Sequence, residues 1–142
     1  MPPSVVVLDT NVALDLLVFD DPGCIGLRAA LADGDVRWIA TAAMRDELVR
    51  VLGYPLIAGR LSRIGRSAAQ VLAAFDHQVH AVEPPPAPAA LVPPCEDPDD
   101  QHFIDLALAH RATLLSKDRA VLQLARPLAE CGVPVATGWP AG

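Results

Sequence analysis

The chain has 142 residues, of which 52% are hydrophobic, 20% charged and 4% aromatic, and its formal net charge is −6. This length fits a single domain over residues 1–142, and the hydrophobic content excludes a disordered segment. The few aromatic residues argue against an RNA-binding surface built on stacked rings. The cysteines (Cys24, Cys95, Cys131) lack zinc-site spacing, and no run of about 18 apolar residues suits a membrane span. We therefore expect a soluble, cytoplasmic protein that does not contact a membrane.

Short apolar runs alternate with segments of helical spacing along the whole chain. Ser4–Leu8 is an unbroken β-branched run of the kind that forms a strand buried on both faces. In chain order we predict strand Ser4–Leu8, helices Val12–Val18 and Pro22–Asp33, strand Val36–Ala40, helices from Thr41 to Leu52, Leu56–Arg63 and Ser67–Phe75, strand Val79–Val82, the proline-rich connector Glu83–Pro94, helix Asp97–His110, strand Thr113–Ser116, helix Asp118–Ala125 and strand Val133–Ala136. This alternation predicts an α/β sandwich with a largely parallel sheet.

Four acids are predicted to meet at one edge of this sheet. Ligand sites of open parallel sheets form beyond the carboxyl ends of the strands, and Asp9 and Asp118 come just after two predicted strands. Asp100 lies in the first turn of its helix, at the edge of the buried face, and Glu47 lies in the inward stripe of another helix. Asp46 points about 100° away from Glu47 and is expected to be solvated.

Each of these acids also has a simpler interpretation. Asp9 and Asp118 suit helix N-caps, and Asp100 suits the positive end of a helix dipole. Glu47 suits a half-exposed helix face. Two carboxylates about 4 Å apart repel by about 4 kcal/mol at an effective dielectric of 20, so a group of three or four needs protons or a cation.

The chemistry that fits such a group is metal-dependent hydrolysis. Clusters of carboxylate oxygens suit Mg²⁺ or Mn²⁺, which activate water and stabilise charge on a phosphodiester. The sequence has no recognisable Ser–His or Cys–His pair and no Gly-rich phosphate loop. The residues therefore predict a metal-dependent phosphoesterase that needs no covalent enzyme intermediate.

Four short motifs together resemble a PIN domain. They are LDTNV at 8–12, MRDELVRVL at 44–52 followed by YP at 54–55, EDPDDQHFIDLALA at 96–109, and LLSKDRAVL at 114–122. The likeness is to bacterial PIN proteins described as toxin components of toxin–antitoxin systems, relatives of the VapC ribonucleases. It implies a three-layer α/β/α sandwich with a mainly parallel central sheet, Mg²⁺- or Mn²⁺-dependent endoribonuclease activity on RNA, a homodimer and an antitoxin protein as partner.

The resemblance also assigns roles to individual residues. The catalytic and metal-binding acids that it implies are Asp9, Glu47, Asp100 and Asp118. Asn11 and Ser116 match the polar supports of the family, which orient carboxylates by hydrogen bonds, although both also suit ordinary turn or cap positions. Asp99 adjoins Asp100 and could share or exchange its role. Gln101 and His102 depart from the family, which often has another acid and a basic residue there; His102 is open to a general-acid role or to that of a solvated helix residue.

Charge is unevenly distributed along the chain. Residues 96–105 contain five acids and no lysine or arginine, whereas residues 45–66 contain five arginines. The arginines are Arg45, Arg50, Arg60, Arg63 and Arg66. They are expected either to guide an RNA backbone towards the acids or to form an ordinary solvated helical surface.

Two other classes of function fit the same residues. One is a PIN-fold protein-interaction module with little turnover, for which the apolar segment Val12–Val18 would suit a dimer or antitoxin interface. The other is a PIN nuclease that acts in RNA or DNA processing outside any toxin–antitoxin system. A phosphate-transfer receiver fits less well, because Lys117 is the only lysine and lacks a signalling context.

Overall fold

A computed structural model describes residues 2–86 and 92–140, which contain one five-stranded sheet. The strands are β1 (Ser4–Leu8), β2 (Val36–Ala40), β3 (Val79–Ala81), β4 (Thr113–Leu115) and β5 (Val135–Ala136). All neighbouring strands are parallel, in the order β3–β2–β1–β4–β5. The central strand β1 therefore ends in the middle of one sheet edge, with the end of β4 beside it.

Helices connect these strands and complete the predicted α/β/α sandwich, which is confirmed. The helices of the described residues are α1 (Thr10–Leu17), α2 (Ile25–Asp33), α3 (Ala42–Leu52), α4 (Pro55–Arg63), α5 (Ala68–Gln78), α6 (Gln101–His110), α7 (Arg119–Leu122) and α8 (Ala125–Glu130). Two 3-10 turns, Pro22–Cys24 and Pro98–Asp100, precede α2 and α6. Within the described residues, none of the helices has both the length and the apolar run that a membrane crossing needs.

The core lies on both faces of the sheet. Val6 and Val7 of β1 are fully buried although their side chains point to opposite faces, as expected for a central strand of a parallel sheet. On β2, Trp38 packs edge-on against Phe75 of α5, with ring centroids 5.1 Å apart. Helix α6 packs against β1, and its Ile104 is fully buried. This packing holds α6, whose first turn carries acids, against the end of the central strand.

Helix boundaries follow the capping residues. The helix predicted at Val12–Val18 starts at Thr10, because the carboxylate of Asp9 accepts the backbone N–H of Val12 and caps it. The helix predicted from Ser67 to Phe75 continues to Gln78, after a start at which Ser67 and Gln70 form a capping box. Helix α2 ends at Asp33, and Gly34 caps it with a φ of +77°, which suits glycine.

Two predicted elements near the end of the chain are present, but their bounds were predicted wrongly. The helix expected over Asp118–Ala125 is two helices, α7 and α8, because Pro127 has no N–H for a continuous helix and is tolerated only in a first turn, where α8 places it. The strand expected from Val133 begins at Val135, after Pro134, which cannot donate to the ladder.

Two further expectations meet different outcomes. The apolar segment Val12–Val18 is wrong as a partner interface, because its apolar side chains are buried in the domain core; they are Val12, Ala13, Leu14, Leu16, Leu17 and Val18. The connector Glu83–Pro94 lies partly outside the described residues, since residues 87–91 are not among them.

Candidate metal centre

Asp9 is a buried carboxylate at the carboxyl end of β1. Only 2% of the residue is exposed, and both carboxylate oxygens accept hydrogen bonds. Oδ1 accepts the N–H of Val12 at 2.9 Å, and Oδ2 accepts the hydroxyl of Ser116 at 2.5 Å. Burial raises the pKa of Asp9 above its usual value, although these two hydrogen bonds act in the opposite direction. The capping interpretation of Asp9 is thus correct, and it coexists with a place at the sheet edge.

Ser116 connects the ends of β1 and β4. Its side chain is fully buried, and its hydroxyl donates to Asp9 while accepting the backbone N–H of Asp118 at 3.0 Å. Asp118 in turn caps α7, because its Oδ1 accepts the N–H of Ala120 at 2.9 Å. One hydroxyl therefore fixes the position of one acid and the backbone of the other.

Three acids form the cluster at this edge. Asp97, Asp100 and Asp118 each offer a carboxylate oxygen, and these oxygens lie within 4.8 Å of one another. Asp97 caps the 3-10 turn that precedes α6, and Asp100 is the last residue of that turn. In a 3-10 turn, residues three apart in sequence lie on the same side. Asp118 reaches them from the end of β4. We call these three residues the acid cluster.

Asp100 differs from the other acids in having an unsatisfied oxygen. It occupies the N-cap position of α6 but makes no side-chain capping bond with the described residues. Its Oδ2 is buried and has no hydrogen-bond partner in residues 2–86 or 92–140. Burial, followed by the neighbouring charge of Asp118, raises the pKa of Asp100 to about 7. This carboxylate lacks the partner that a buried charge requires.

Glu47 lies on α3 and has two neighbours of its own. Its Oε2 accepts the hydroxyl of Thr10 at 2.5 Å and lies 3.6 Å from Nε2 of His102. The Glu47 side chain is 18% exposed, whereas Asp46 beside it is exposed. Glu47 is not one of the three acids whose oxygens gather within 4.8 Å. His102 is therefore a helix residue with a side chain 35% exposed, whose Nε2 faces a carboxylate, and its role stays a prediction.

The remaining sequence-derived candidates lie at the rim. Asn11 and Asp99 are exposed, and Asp99 is outside the acid cluster. Asp97, which the sequence suggested only as a helix start, is inside it. The signal that could have found Asp97 is its spacing of three from Asp100, since either kind of helical turn places such residues on one side.

The five arginines fall into two groups. Arg45 forms a two-pronged ion pair with Asp76, at 2.8 and 2.9 Å, and Arg66 donates to the carbonyl of Leu17 at 2.6 Å. Arg60 lies with its guanidinium carbon 6.0 Å from the ring centre of Phe19. The other two, Arg50 and Arg63, are exposed and make no ion pair with any part of the chain that the structure describes. What distinguishes Arg50 and Arg63 from the other three is their exposure, since Arg45, Arg60 and Arg66 are half-buried.

The acid cluster fits a divalent cation. Its donors are carboxylate oxygens, which Mg²⁺ and Mn²⁺ prefer, and no Lys or Arg of the described residues pairs with Asp97, Asp100 or Asp118. The buried, unpartnered oxygen of Asp100 is the further sign, because a cation would satisfy it.

Comparison with known proteins agrees with this geometry. A family model described as PIN domain matches residues 5–120, which include every acid of the site. A search of curated proteins finds no match to the chain. PIN domains are generally metal-dependent nucleases, and the acid cluster is compatible with that activity. Because the match covers well over half of its length, the chain belongs to the PIN-domain family.

Proposed function

We propose that this chain is an endoribonuclease that depends on Mg²⁺ or Mn²⁺ and acts as the toxin component of a toxin–antitoxin system. The observation that carries the proposal is the buried oxygen of Asp100, which has no partner in the described residues and lies in an acid cluster at the edge where β1 and β4 end. Such a group of carboxylates is unfavourable unless protons or a cation neutralise it, and a cation also provides the partner that the oxygen of Asp100 lacks in the described residues.

Four acids are proposed to hold the cation: Asp9, Glu47, Asp100 and Asp118. A divalent ion at this place supplies activation of water and neutralisation of charge on the phosphodiester. The chain's own contribution is orientation, because each acid except Asp100 already has a hydrogen-bond partner: Ser116 for Asp9, Thr10 for Glu47 and the N–H of Ala120 for Asp118. Carboxylates fixed in this way need little rearrangement when a substrate binds.

RNA is the proposed substrate, and Arg50 and Arg63 are its proposed backbone contacts. Their exposure and their lack of ion pairs in the described residues support this role. Each phosphate contact contributes about 0.7 to the slope of log affinity against log salt for a single strand. The change of Arg63 to Ala is therefore expected to reduce that slope, which a binding titration at several salt concentrations measures.

Exposed apolar side chains on α3 and α4 and at the two ends of α4 support the proposed homodimer and antitoxin partner. Val49, Tyr54, Leu56 and Ile64 are all more than two-fifths exposed, and Leu56 reaches 75%. Large apolar side chains that cluster on a surface often mark a protein interface. The same side chains support the second candidate function, a PIN-fold interaction module with little turnover.

A cleavage assay tests the proposed activity. Purified wild type is incubated with a mixed RNA panel in Mn²⁺, Mg²⁺ or EDTA, beside Asp9→Asn, Asp118→Asn and Asp99→Asn. We expect cleavage with either ion and none with EDTA, and a loss of about 100-fold or more in the first two variants. Asp99→Asn is the matched control, since it removes one exposed acid from outside the cluster and should cleave like wild type.

Three results would overturn parts of this proposal. Folded wild type that cuts nothing with any ion supports the interaction module instead. A preference for structured DNA over RNA supports a processing nuclease. Growth that continues when wild type is induced without a partner contradicts the toxin role, for which we expect growth arrest that Asp118→Asn abolishes.

A further inference from the structure

Asp97 belongs to a part of the chain whose role the proposed function leaves open. We propose that Asp97 is an additional acid of the metal centre, and that Gln101 is the positioning residue that holds Asp97 there. This inference rests on the proposed metal-dependent function and adds to it two residues, neither of which is among the four acids proposed above.

The geometry distinguishes Asp97 from its neighbour Asp99. One carboxylate oxygen of Asp97 lies within 4.8 Å of oxygens from Asp100 and Asp118, whereas Asp99 is exposed and outside the cluster. The 3-10 turn explains this difference, because it places residues three apart on one side and turns Asp99, one of the two residues between them, away. The same turn uses Oδ1 of Asp97 as its cap, which accepts the N–H of Asp99 at 3.0 Å.

Gln101 attaches the segment before Asp97 to the start of α6. Its Oε1 accepts the N–H of Cys95 at 2.7 Å, and its Nε2 donates to Oδ1 of Asp105 at 2.9 Å. Cys95 is buried, so this part of the segment is held in place at two points, by packing and by the amide. Asp97 follows two residues later, so Gln101 fixes the backbone just before Asp97, while the 3-10 turn connects Asp97 to Asp100.

Capping alone does not account for an acid at position 97. Asn and Ser cap helical turns as well as Asp does, and neither adds a negative charge beside Asp100 and Asp118. A third carboxylate within 4.8 Å of two others is unfavourable in the absence of a cation. The oxygen of Asp100 that lacks a partner in the described residues points independently to a cation at the same place.

A metal-binding titration distinguishes the role of Asp97 as a cap from its proposed role as a metal ligand. Mn²⁺ is titrated by calorimetry into metal-free wild type, Asp97→Asn, Asp99→Asn and Asp118→Asn at pH 8. Asn keeps the cap but removes the charge beside Asp100 and Asp118, so we expect Asp97→Asn to melt at or slightly above the temperature of metal-free wild type and to bind Mn²⁺ about tenfold or more weakly. Asp99→Asn is the matched control, because it removes the charge of an exposed acid in the same turn but outside the acid cluster. It should bind Mn²⁺ within about twofold of wild type.

A double-mutant cycle tests the positioning role of Gln101. Met has a similar length but makes neither hydrogen bond, so Gln101→Met is expected to weaken Mn²⁺ binding by about three- to tenfold. If Gln101 acts through Asp97, Gln101→Met should have almost no further effect in an Asp97→Asn background. Equal effects of Gln101→Met in both backgrounds would reduce Gln101 to a purely structural residue and overturn its assignment.

The failure of this inference is distinguishable from the failure of the proposed function. Wild-type affinity in Asp97→Asn, together with weak binding in Asp118→Asn, would leave the metal centre intact and show that Asp97 is only a cap. No Mn²⁺ binding by folded wild type would overturn the metal centre itself, and with it the role of Asp97.

Discussion

Lys117 and Asp118 are adjacent in sequence but belong to two different groups of charged residues. Asp15 and Asp21 bind Nζ of Lys117 at 2.7 and 3.1 Å. The acid cluster of Asp97, Asp100 and Asp118 forms no ion pair within residues 2–86 and 92–140. The first group therefore contains its own cation, whereas the second group lacks one.

The pKa values of Asp21, in the first group, and of Asp100, in the second, shift in opposite directions. The N–H of Gly23 and the ammonium of Lys117 lower the pKa of Asp21, which is partly exposed. Burial and the charge of Asp118 raise the pKa of Asp100 to about 7. The pKa of Lys117 is also raised by its two acids, so its charge persists at neutral pH. The number of acids is thus a poor guide to a metal site. A better guide is which acids the only lysine, Lys117, leaves without an ion pair.

The largest expected effect comes from removing the charge of Asp100. In metal-free protein at pH 8, Asp100→Asn should raise the free energy of unfolding by about 1–2 kcal/mol, because it relieves repulsion from Asp118 in a partly buried place. The same variant should lose the stabilisation that Mn²⁺ gives to wild type. Urea unfolding with EDTA and with Mn²⁺ measures both effects.

The control for this prediction is Asp21→Asn in the other group. It removes an acid that already has a cation, so it should slightly destabilise the protein and leave the effect of Mn²⁺ intact. If both variants changed stability with the same sign and lost the response to Mn²⁺, the distinction between the two groups would be wrong.

A smaller effect is expected in the pH dependence of stability. The folded-state pKa of Asp100, about 7, lies above its unfolded value near 4, so the folded state keeps this proton over that range while the unfolded state releases it. The free energy of unfolding of the metal-free protein should therefore fall as pH rises from about 4 to about 7, and Asp100→Asn should flatten that fall. The pKa of Asp21 is lowered instead, so its contribution is present above pH 4 and is lost below it. Urea midpoints between pH 3 and 8 in EDTA check both windows, and parallel curves for wild type and Asp100→Asn would contradict the prediction.

The sequence predicted the strands of the sheet well because burial leaves a strong pattern. β1 and β2 have the bounds expected from their apolar runs, and α3 begins after Thr41 as predicted. Prolines influence the bounds of the last helices and of the last strand, and the effect of each proline depends on its position within a helical turn or a strand. Pro127 lies in the first turn of α8, beyond the predicted end of the preceding helix at Ala125, and apolar periodicity does not indicate that α7 stops at Leu122.

The candidate site was less predictable, because capping and metal binding use the same residue types. Asp9 and Asp118 do cap helices, so the simpler interpretation of each is correct and still says nothing against a role in the site. What distinguishes Asp100 is a buried oxygen with no partner in the described part of the chain, which only coordinates reveal. Asp97 was missed for the same reason, since its capping role accounted for it completely at the level of sequence.

The smallest expected effect tests whether the two groups are independent. Lys117→Met leaves Asp15 and Asp21 without their cation. Because the Lys117 side chain is 46% exposed, the melting temperature should fall by only about 2–4 °C, more at low salt than at high salt. Lys117→Arg should restore most of the loss by keeping the charge. Mn²⁺ binding should remain within about threefold of wild type, because Lys117 contacts none of the three clustered acids. A loss of Mn²⁺ binding as large as that of Asp100→Asn would mean that Lys117 positions Asp118 through the shared segment, and the two groups would then have to be treated as one site.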